Sequence, residues 1–296
     1  MKCVRPFNSN GAAFACGQCL PCRINRRRMW MHRMMLEALL HPYNSFWTLT
    51  YAPENTPVAN ELVPKDLQDW LKRFRKCISP VRVRFYACGE YGDETQRPHY
   101  HVALFNYPGC VYGRSRYRAR RGNCCENCDR VRDTWSLGLV DGGPLDPEGM
   151  QYVAGYVMKK MTSFDDPRLE GRHPEFSRRS MGLGAGALDN VADVIRSLDL
   201  DLTQADVPSA LRHGNKILPL GRYLRRKLRV LLGKSPDAPA ETIAEFKKEL
   251  QALREISWAS TQGEFIPLSQ LQEKETAQKL ANLESRQRIF KQRKSL

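Results

Sequence analysis

Two periodicities organise the apolar positions of this chain. Between Arg23 and Leu40, Ile24, Met31, Met34, Met35, Leu36 and Leu39 fall mostly on one stripe at helical spacing, which predicts a helix. Ser45–Tyr51 (SFWTLTY) is short, aromatic and Thr-rich and stops before Pro53, the pattern of a strand. Pro64 then opens PKDLQDWLKRFRK, whose Leu67, Trp70, Leu71 and Phe74 share one face, so a second helix is expected. Val81–Cys88 alternates at its start, with Arg82 and Arg84 facing away from Val81, Val83 and Phe85. After the turn GEYGDETQRP comes a third strand, His99–Phe105 (HYHVALF). This order of elements predicts an α+β fold, a central antiparallel sheet with flanking helices.

Beyond the third strand the pattern weakens. Residues 109–133 are rich in Arg and Cys with little apolar periodicity and read as an insertion; Trp135–Gly143 reads as a further strand. Asp146 followed by Pro147 is a helix start, with Asp as N-cap and Pro at the first helical position, and the helix would run through EGMQYVAGYVMKKM. Gly155 lowers its propensity without ending it. From Asp165 to about Pro219 only one helix is expected, near Val191–Leu198. Gly221–Leu232 reads as a basic helix, and the chain after Pro239 as charged helix. The expected organisation is therefore a catalytic domain over residues 1–205 and a basic helical extension over 206–296.

Charge narrows the function. The 296 residues hold 47 Lys and Arg against 32 Asp and Glu, a formal net charge of +15, which points to a polyanionic partner such as nucleic acid. With 42% hydrophobic residues the chain can bury a core. Met1–Asn10 lacks the apolar stretch of a signal peptide and no apolar run reaches membrane-spanning length, so a soluble intracellular protein without a membrane partner is expected. The ten Cys are too sparse for a secreted disulfide scaffold.

Two groups of residues suggest chemistry. On a strand, His99 and His101 point the same way about 7 Å apart. They can share a divalent metal if a neighbouring strand brings a third ligand, and Glu90, across the turn, is placed to be that ligand. The same pair also fits two imidazoles facing solvent. Tyr152 and Tyr156, four apart on the expected helix, lie on one face, with Lys159 and Lys160 beside them. A tyrosine nucleophile needs a nearby cation, because its free pKa is near 10. An amphipathic helix with two half-buried Tyr and snorkelling Lys accounts for the same spacing.

FWTLTY, GEYGDETQRPHYHVALF and YVAGYVMKKM occur in the order of the three motifs of HUH endonucleases, which initiate rolling-circle DNA replication. The paired-tyrosine motif resembles the initiators of small single-stranded DNA phages, and CGQCLPCR, RRRMW and GRYLRRKL resemble the gokushovirus branch of the microviruses. The resemblance covers about residues 16–230. It implies that Glu90, His99 and His101 bind Mg²⁺ or Mn²⁺, that Tyr152 and Tyr156 are nucleophiles, and that Lys159 or Lys160 assists them. It further implies 5′-phosphotyrosine chemistry on single-stranded phage origin DNA in the host bacterial cytoplasm, with the host replication helicase and polymerase as partners. Gly155 departs from the related phages, which carry a lysine immediately before the second tyrosine. A non-catalytic DNA-binding regulator, or a plasmid mobilisation relaxase or transposase, is the alternative.

Arg82, Arg84, Arg97 and the cluster Arg114–Arg121, including Arg116, are candidate phosphate contacts, with Tyr112 and Tyr117 available to stack on bases. Cys16, Cys19 and Cys22, with Cys125 and Cys128 (or Cys124), suggest a structural zinc built from one pair of each cluster. Such a site would span near 100 residues, where zinc ribbons separate their pairs by about 15–20. Reduced thiols serving as small buried hydrophobes are the alternative. Cys3, Cys77, Cys88 and Cys110 have no evident partner.

Overall fold

A computed structural model describes residues 3–9, 12–92, 95–113, 124–155, 166–245, 247–248, 251, 255 and 277–286. The chain falls into two compact units, one formed by residues 1–26 with 235–296, the other by residues 27–234. In the first, β1 (Phe7–Ser9) and β2 (Ala12–Phe14) form an antiparallel hairpin in which Phe7 pairs with Phe14, their rings 5.9 Å apart. Helix α1 (Leu20–Ala38) begins in this unit. The expected charged helix is seen in part, over 240–245 and 277–286.

The larger unit is built on five strands. After β3 (Asn44–Tyr51) come α2 (Pro64–Cys77), β4 (Arg84–Tyr91), β5 (Pro98–Phe105), α3 (Glu126–Trp135), β6 (Gly138–Pro144), α4 (Pro147–Gly155) and β7 (Phe176–Arg179). The sheet order is β6-β3-β5-β4-β7 with every pairing antiparallel. The α+β expectation with a central antiparallel sheet therefore holds.

Strand alternation sorts the sheet into two buried faces. On one, Trp47, Leu49 and Tyr51 of β3 and Tyr100, Val102 and Leu104 of β5 pack against Leu67, Trp70, Leu71 and Phe74 of α2 and Val131 and Trp135 of α3. On the other, Tyr86 and Cys88 of β4 and Ala103 and Phe105 of β5 pack against Trp30, Met31 and Met34 of α1 and Met150, Val153 and Ala154 of α4. Burial on both faces is why β4 and β5 carry near-continuous apolar runs instead of a strict alternation.

Three further differences from the sequence pattern have local causes. Val81–Val83 stands outside β4, because the Val81 N–H bonds the Ile78 carbonyl in the turn closing α2. The expected insertion contains α3, and Trp135 ends that helix instead of opening a strand. The stretch 165–219 holds β7, then α5 (Leu188–Ser197), α6 (Leu200–Thr203) and the hairpin β8 (Ala210–His213) with β9 (Lys216–Pro219). It is followed by α7 (Gly221–Leu231). Leu218 joins the α1–α4 core, while Val207, Leu220, Leu224 and Leu228 pack with Leu36, Leu188 and Ala192 in a third cluster. Residue 205 thus lies inside this unit. Among the described residues no helix is long and apolar enough to cross a membrane.

Candidate metal centre and tyrosine helix

The register of β4 and β5 sets Glu90 directly opposite His99. His101, two residues along β5, shares its face, and Glu90 reaches both. Its Oε1 lies 2.7 Å from His99 Nε2 and 3.0 Å from His101 Nε2. Glu90 and His101 are buried, whereas the His99 side chain is 18% exposed and forms the open side of the cluster.

The outer nitrogens are also held. His99 Nδ1 donates to the Arg97 carbonyl at 3.0 Å, and because a carbonyl only accepts, the proton of a neutral His99 resides on Nδ1. Its Nε2 lone pair then faces the Glu90 carboxylate, so a positive charge, a proton or a metal, is required between them. His101 Nδ1 is 3.0 Å from Thr48 Oγ1 on β3, its register partner. Phe46 stacks on the His101 ring, with centroids 5.6 Å apart. Two imidazoles oriented by outer hydrogen bonds and one buried carboxylate converge as the ligand set of a divalent cation does. The donor set fits Mn²⁺ or Mg²⁺ as the sequence led one to expect.

The cluster lies on the sheet face covered by α1 and α4. Asp146 starts α4 as the sequence indicates, its Oδ1 accepting the Gly149 N–H at 2.6 Å and its carbonyl the Met150 N–H at 3.0 Å. Met150, Val153 and Ala154 seat the helix on β4 and β5. Tyr152 is on the α4 backbone; its side chain, with Tyr156, Lys159 and Lys160, lies outside the described residues.

One residue at this helix was not evident from sequence. Arg27 donates to the Gln151 carbonyl from Nε at 3.1 Å and Nη2 at 2.9 Å. Its guanidinium carbon stands 3.5 Å from where a Cβ on Gly155 would be. The run Arg26-Arg27-Arg28 was the available signal, but nothing in it distinguishes the residue that turns inward.

The candidate phosphate contacts divide. Arg82 is exposed. Arg84 is engaged within the fold, its Nε 2.5 Å from Glu37 Oε1 and its Nη2 donating to the Met181 carbonyl at 2.8 Å. Arg97 donates to the Tyr51 carbonyl. Arg114, Arg116 and Tyr117 lie outside the described residues; Tyr112 is exposed.

The cysteines form two separate groups, not one site shared between clusters. Cys16, Cys19 and Cys22 are joined by Cys3, and Cys124, Cys125 and Cys128 by Cys110; in each group all four sulfurs lie within 4.8 Å of one another. Cys3 and Cys110, which had no evident partner, complete the two sets. The missed signal was a shared spacing: each of these cysteines precedes its cluster by a similar interval, 13 positions to Cys16 and 14 to Cys124.

Comparison with known proteins agrees with this architecture. Residues 44–161, spanning β3 to the far side of the tyrosine motif, match the family model of the phage replication-associated protein ORF2. Replication-associated protein VP4 of Bdellovibrio phage phiMH2K is 30% identical over 192 residues, covering 56% of this chain and 60% of that protein. Replication-associated protein ORF2 of Spiroplasma virus 4 is 30% identical over 178 residues, covering 57% of this chain and 55% of its own. Replication-associated protein ORF4 of Chlamydia phage 1 is 26% identical over 254 residues, covering 79% of this chain and 58% of its own. The chain thus spans less than two thirds of the length of these curated relatives. No solved structure gives a significant match.

Proposed function

We propose that this chain, whose residues 44–161 match the ORF2 replication-associated family, initiates rolling-circle replication of a small single-stranded DNA phage. It acts as a tyrosine nickase and strand-joining enzyme on the phage origin. The observation that carries the reading is the single Glu90 oxygen within 3.0 Å of both His99 and His101 Nε2, on the sheet face that also carries α4. Glu90, His99 and His101 would hold Mn²⁺ or Mg²⁺, which when bound supplies Lewis-acid polarisation of a phosphate oxygen and offsets developing charge.

The remaining chemistry belongs to side chains. The phenol oxygen of Tyr152 or Tyr156 attacks the phosphorus at the nick site. A tyrosine–phosphate bond forms as the bond to O3′ breaks; the phenol loses its proton and O3′ gains one, leaving a 3′-OH that a host polymerase extends. Lys159 or Lys160 lowers the phenol pKa from its free value near 10. One phosphodiester is exchanged for another, so rejoining requires no nucleotide. The second tyrosine cuts the regenerated origin, and the new 3′-OH attacks the first phosphotyrosine, releasing that tyrosine and closing the circle. Arg82, Arg114 and Arg116 bind the strand through its phosphates, and a host helicase opens the duplex ahead, in the host bacterial cytoplasm.

A nicking assay on single-stranded phage origin DNA with Mn²⁺ tests the reading. One site-specific cut with a polymerase-extendable 3′ end is expected from the wild type, and none in EDTA or from His99→Ala. Cutting that survives both treatments contradicts it, and tight DNA binding without any cut favours the regulator alternative.

A further inference from the structure

We propose that the two cysteine groups are independent structural zinc sites, so that one chain carries two Zn²⁺ apart from the Glu90–His99–His101 centre. The first comprises Cys3, Cys16, Cys19 and Cys22, the second Cys110, Cys124, Cys125 and Cys128.

Sulfur spacing carries the assignment. Zn–S bonds of about 2.3 Å in a tetrahedron place neighbouring sulfurs about 3.8 Å apart. Cys3 Sγ lies 3.6 Å from Cys16 Sγ and 3.8 Å from Cys19 Sγ. In the second group Cys110 and Cys124 are 3.5 Å apart, as are Cys125 and Cys128. A disulfide needs about 2.05 Å, and all ten cysteines are free. An iron–sulfur cluster distributes its cysteines over several irons, a wider span than four sulfurs all within 4.8 Å. A closed tetrahedral set of four thiolates is the structural zinc arrangement.

The surroundings of the sulfurs support thiolates. Cys3 Sγ accepts the Arg5 and Cys16 N–H groups at 3.4 and 3.3 Å, and Cys16 Sγ accepts those of Gln18 and Cys19 at 3.4 and 3.3 Å. In the second group the N–H groups of Val111 and Cys128 bond Cys125. Such outer donors orient and stabilise ligating sulfurs. Both sites also meet a helix in the same way: Cys22 is the third residue of α1 and Cys128 the third of α3, within the turn whose N–H groups favour negative charge. Gly17, at φ +70°, makes the tight turn between Cys16 and Cys19.

Each site closes a segment that has little else to hold it. Cys3 precedes β1 and Cys16 follows β2, so the first joins the two ends of a hairpin of three-residue strands, which is marginal by itself. The second joins the two ends of the basic stretch 111–123 to α3, where Cys110 and Cys128 border the main core. Site formation and local folding are then one equilibrium.

The test is metal content of the full chain, purified under reducing conditions, in a His99→Ala, His101→Ala background so that the third centre takes no metal. Two zinc per chain are expected, falling to one in Cys19→Ser, to one in Cys125→Ser and to none in the double variant, with Cys77→Ser unchanged. Without any cysteine variant, mercurial titration should release each zinc as four thiols react, and Co²⁺ substitution should give the intense bands of tetrahedral thiolate cobalt. A single zinc per chain that both Cys19→Ser and Cys125→Ser abolish would show one shared site and overturn the assignment, as would iron in place of zinc, or no metal. The readout is independent of nicking, so it can fail while the initiator reading stands, and the reverse.

Discussion

Glu90 and His99 face each other across the β4–β5 ladder, with the carboxylate oxygen 2.7 Å from the imidazole Nε2 and the imidazole Nδ1 held by the Arg97 carbonyl. That arrangement leaves a neutral His99 presenting a lone pair to a carboxylate, so the pair is completed by a cation. Glu90→Gln keeps the shape and removes the charge. It should weaken Mn²⁺ binding by at least about 100-fold, the upper end of what loss of an outer partner costs. Titration calorimetry checks this, and unchanged affinity contradicts it. Two imidazoles suit Mn²⁺ better than Mg²⁺, which prefers an all-oxygen octahedron, so half-maximal nicking should need less Mn²⁺ than Mg²⁺.

Thr48 orients His101 from the adjacent strand at 3.0 Å and touches no ligand nitrogen other than Nδ1. Thr48→Val is close in shape and removes the hydroxyl. The expected result is a loss of about 10–100-fold in metal affinity with the same unfolding midpoint. A variant that binds Mn²⁺ as well as wild type would remove Thr48 from the account.

Arg27 fixes α4 through the Gln151 carbonyl, one residue before Tyr152. Loss of this charge-assisted bond costs about 1.5–3 kcal/mol where it is made. If it is lost mainly in the placement of the tyrosine helix, Arg27→Ala slows nicking about tenfold or more. Mn²⁺ affinity at Glu90, His99 and His101 should be unchanged. Equal loss of metal binding would show a general unfolding of the face instead.

His32 provides a pH signature of the fold itself. It is buried, its Nδ1 bonds the Pro219 carbonyl at 2.9 Å, and its Nε2 meets His213 Nε2 at 2.8 Å. Burial, reinforced by His213, pushes its pKa down to about 4 from 6.5. Above pH 6.5 both folded and unfolded states are neutral there and nothing is lost. As pH falls from 6.5 towards 4 the unfolded chain takes up the proton first, so stability declines by about 3 kcal/mol in total. Urea unfolding between pH 7 and 4 should show this decline, and His32→Asn should flatten it.

Which parts of this architecture a sequence can reveal follows from where their information lies. The helix Pro64–Cys77 was legible because Leu67, Trp70, Leu71 and Phe74 carry the 3.6 period on an otherwise charged surface. Asn44–Tyr51 and Pro98–Phe105 were legible through aromatic and β-branched residues, and Glu90 through its distance from the His pair across one turn. Strand β7 (FSRR) has no apolar face to read; it joins the sheet through backbone bonds to Tyr86–Gly89 at an edge. Helix α3 was hidden by its Arg and Cys content, although Cys128, Val131 and Trp135 keep helical spacing and are all buried. The cysteine partners depend on a hairpin and a returning loop, so counting spacings within each cluster could not supply the fourth ligand.

The central claim is tyrosine attack, and one gel tests it most directly. Origin DNA labelled on the 3′ side of the nick is incubated with Mn²⁺ and wild type, Tyr152→Phe, Tyr156→Phe or the double variant, then run under denaturing conditions. The account predicts a label covalently bound to protein in the wild type and none in the double variant, with the attached peptide of the wild type containing residue 152 or 156. A covalent band that persists in the double variant, or cleavage with no covalent band in the wild type, would contradict it.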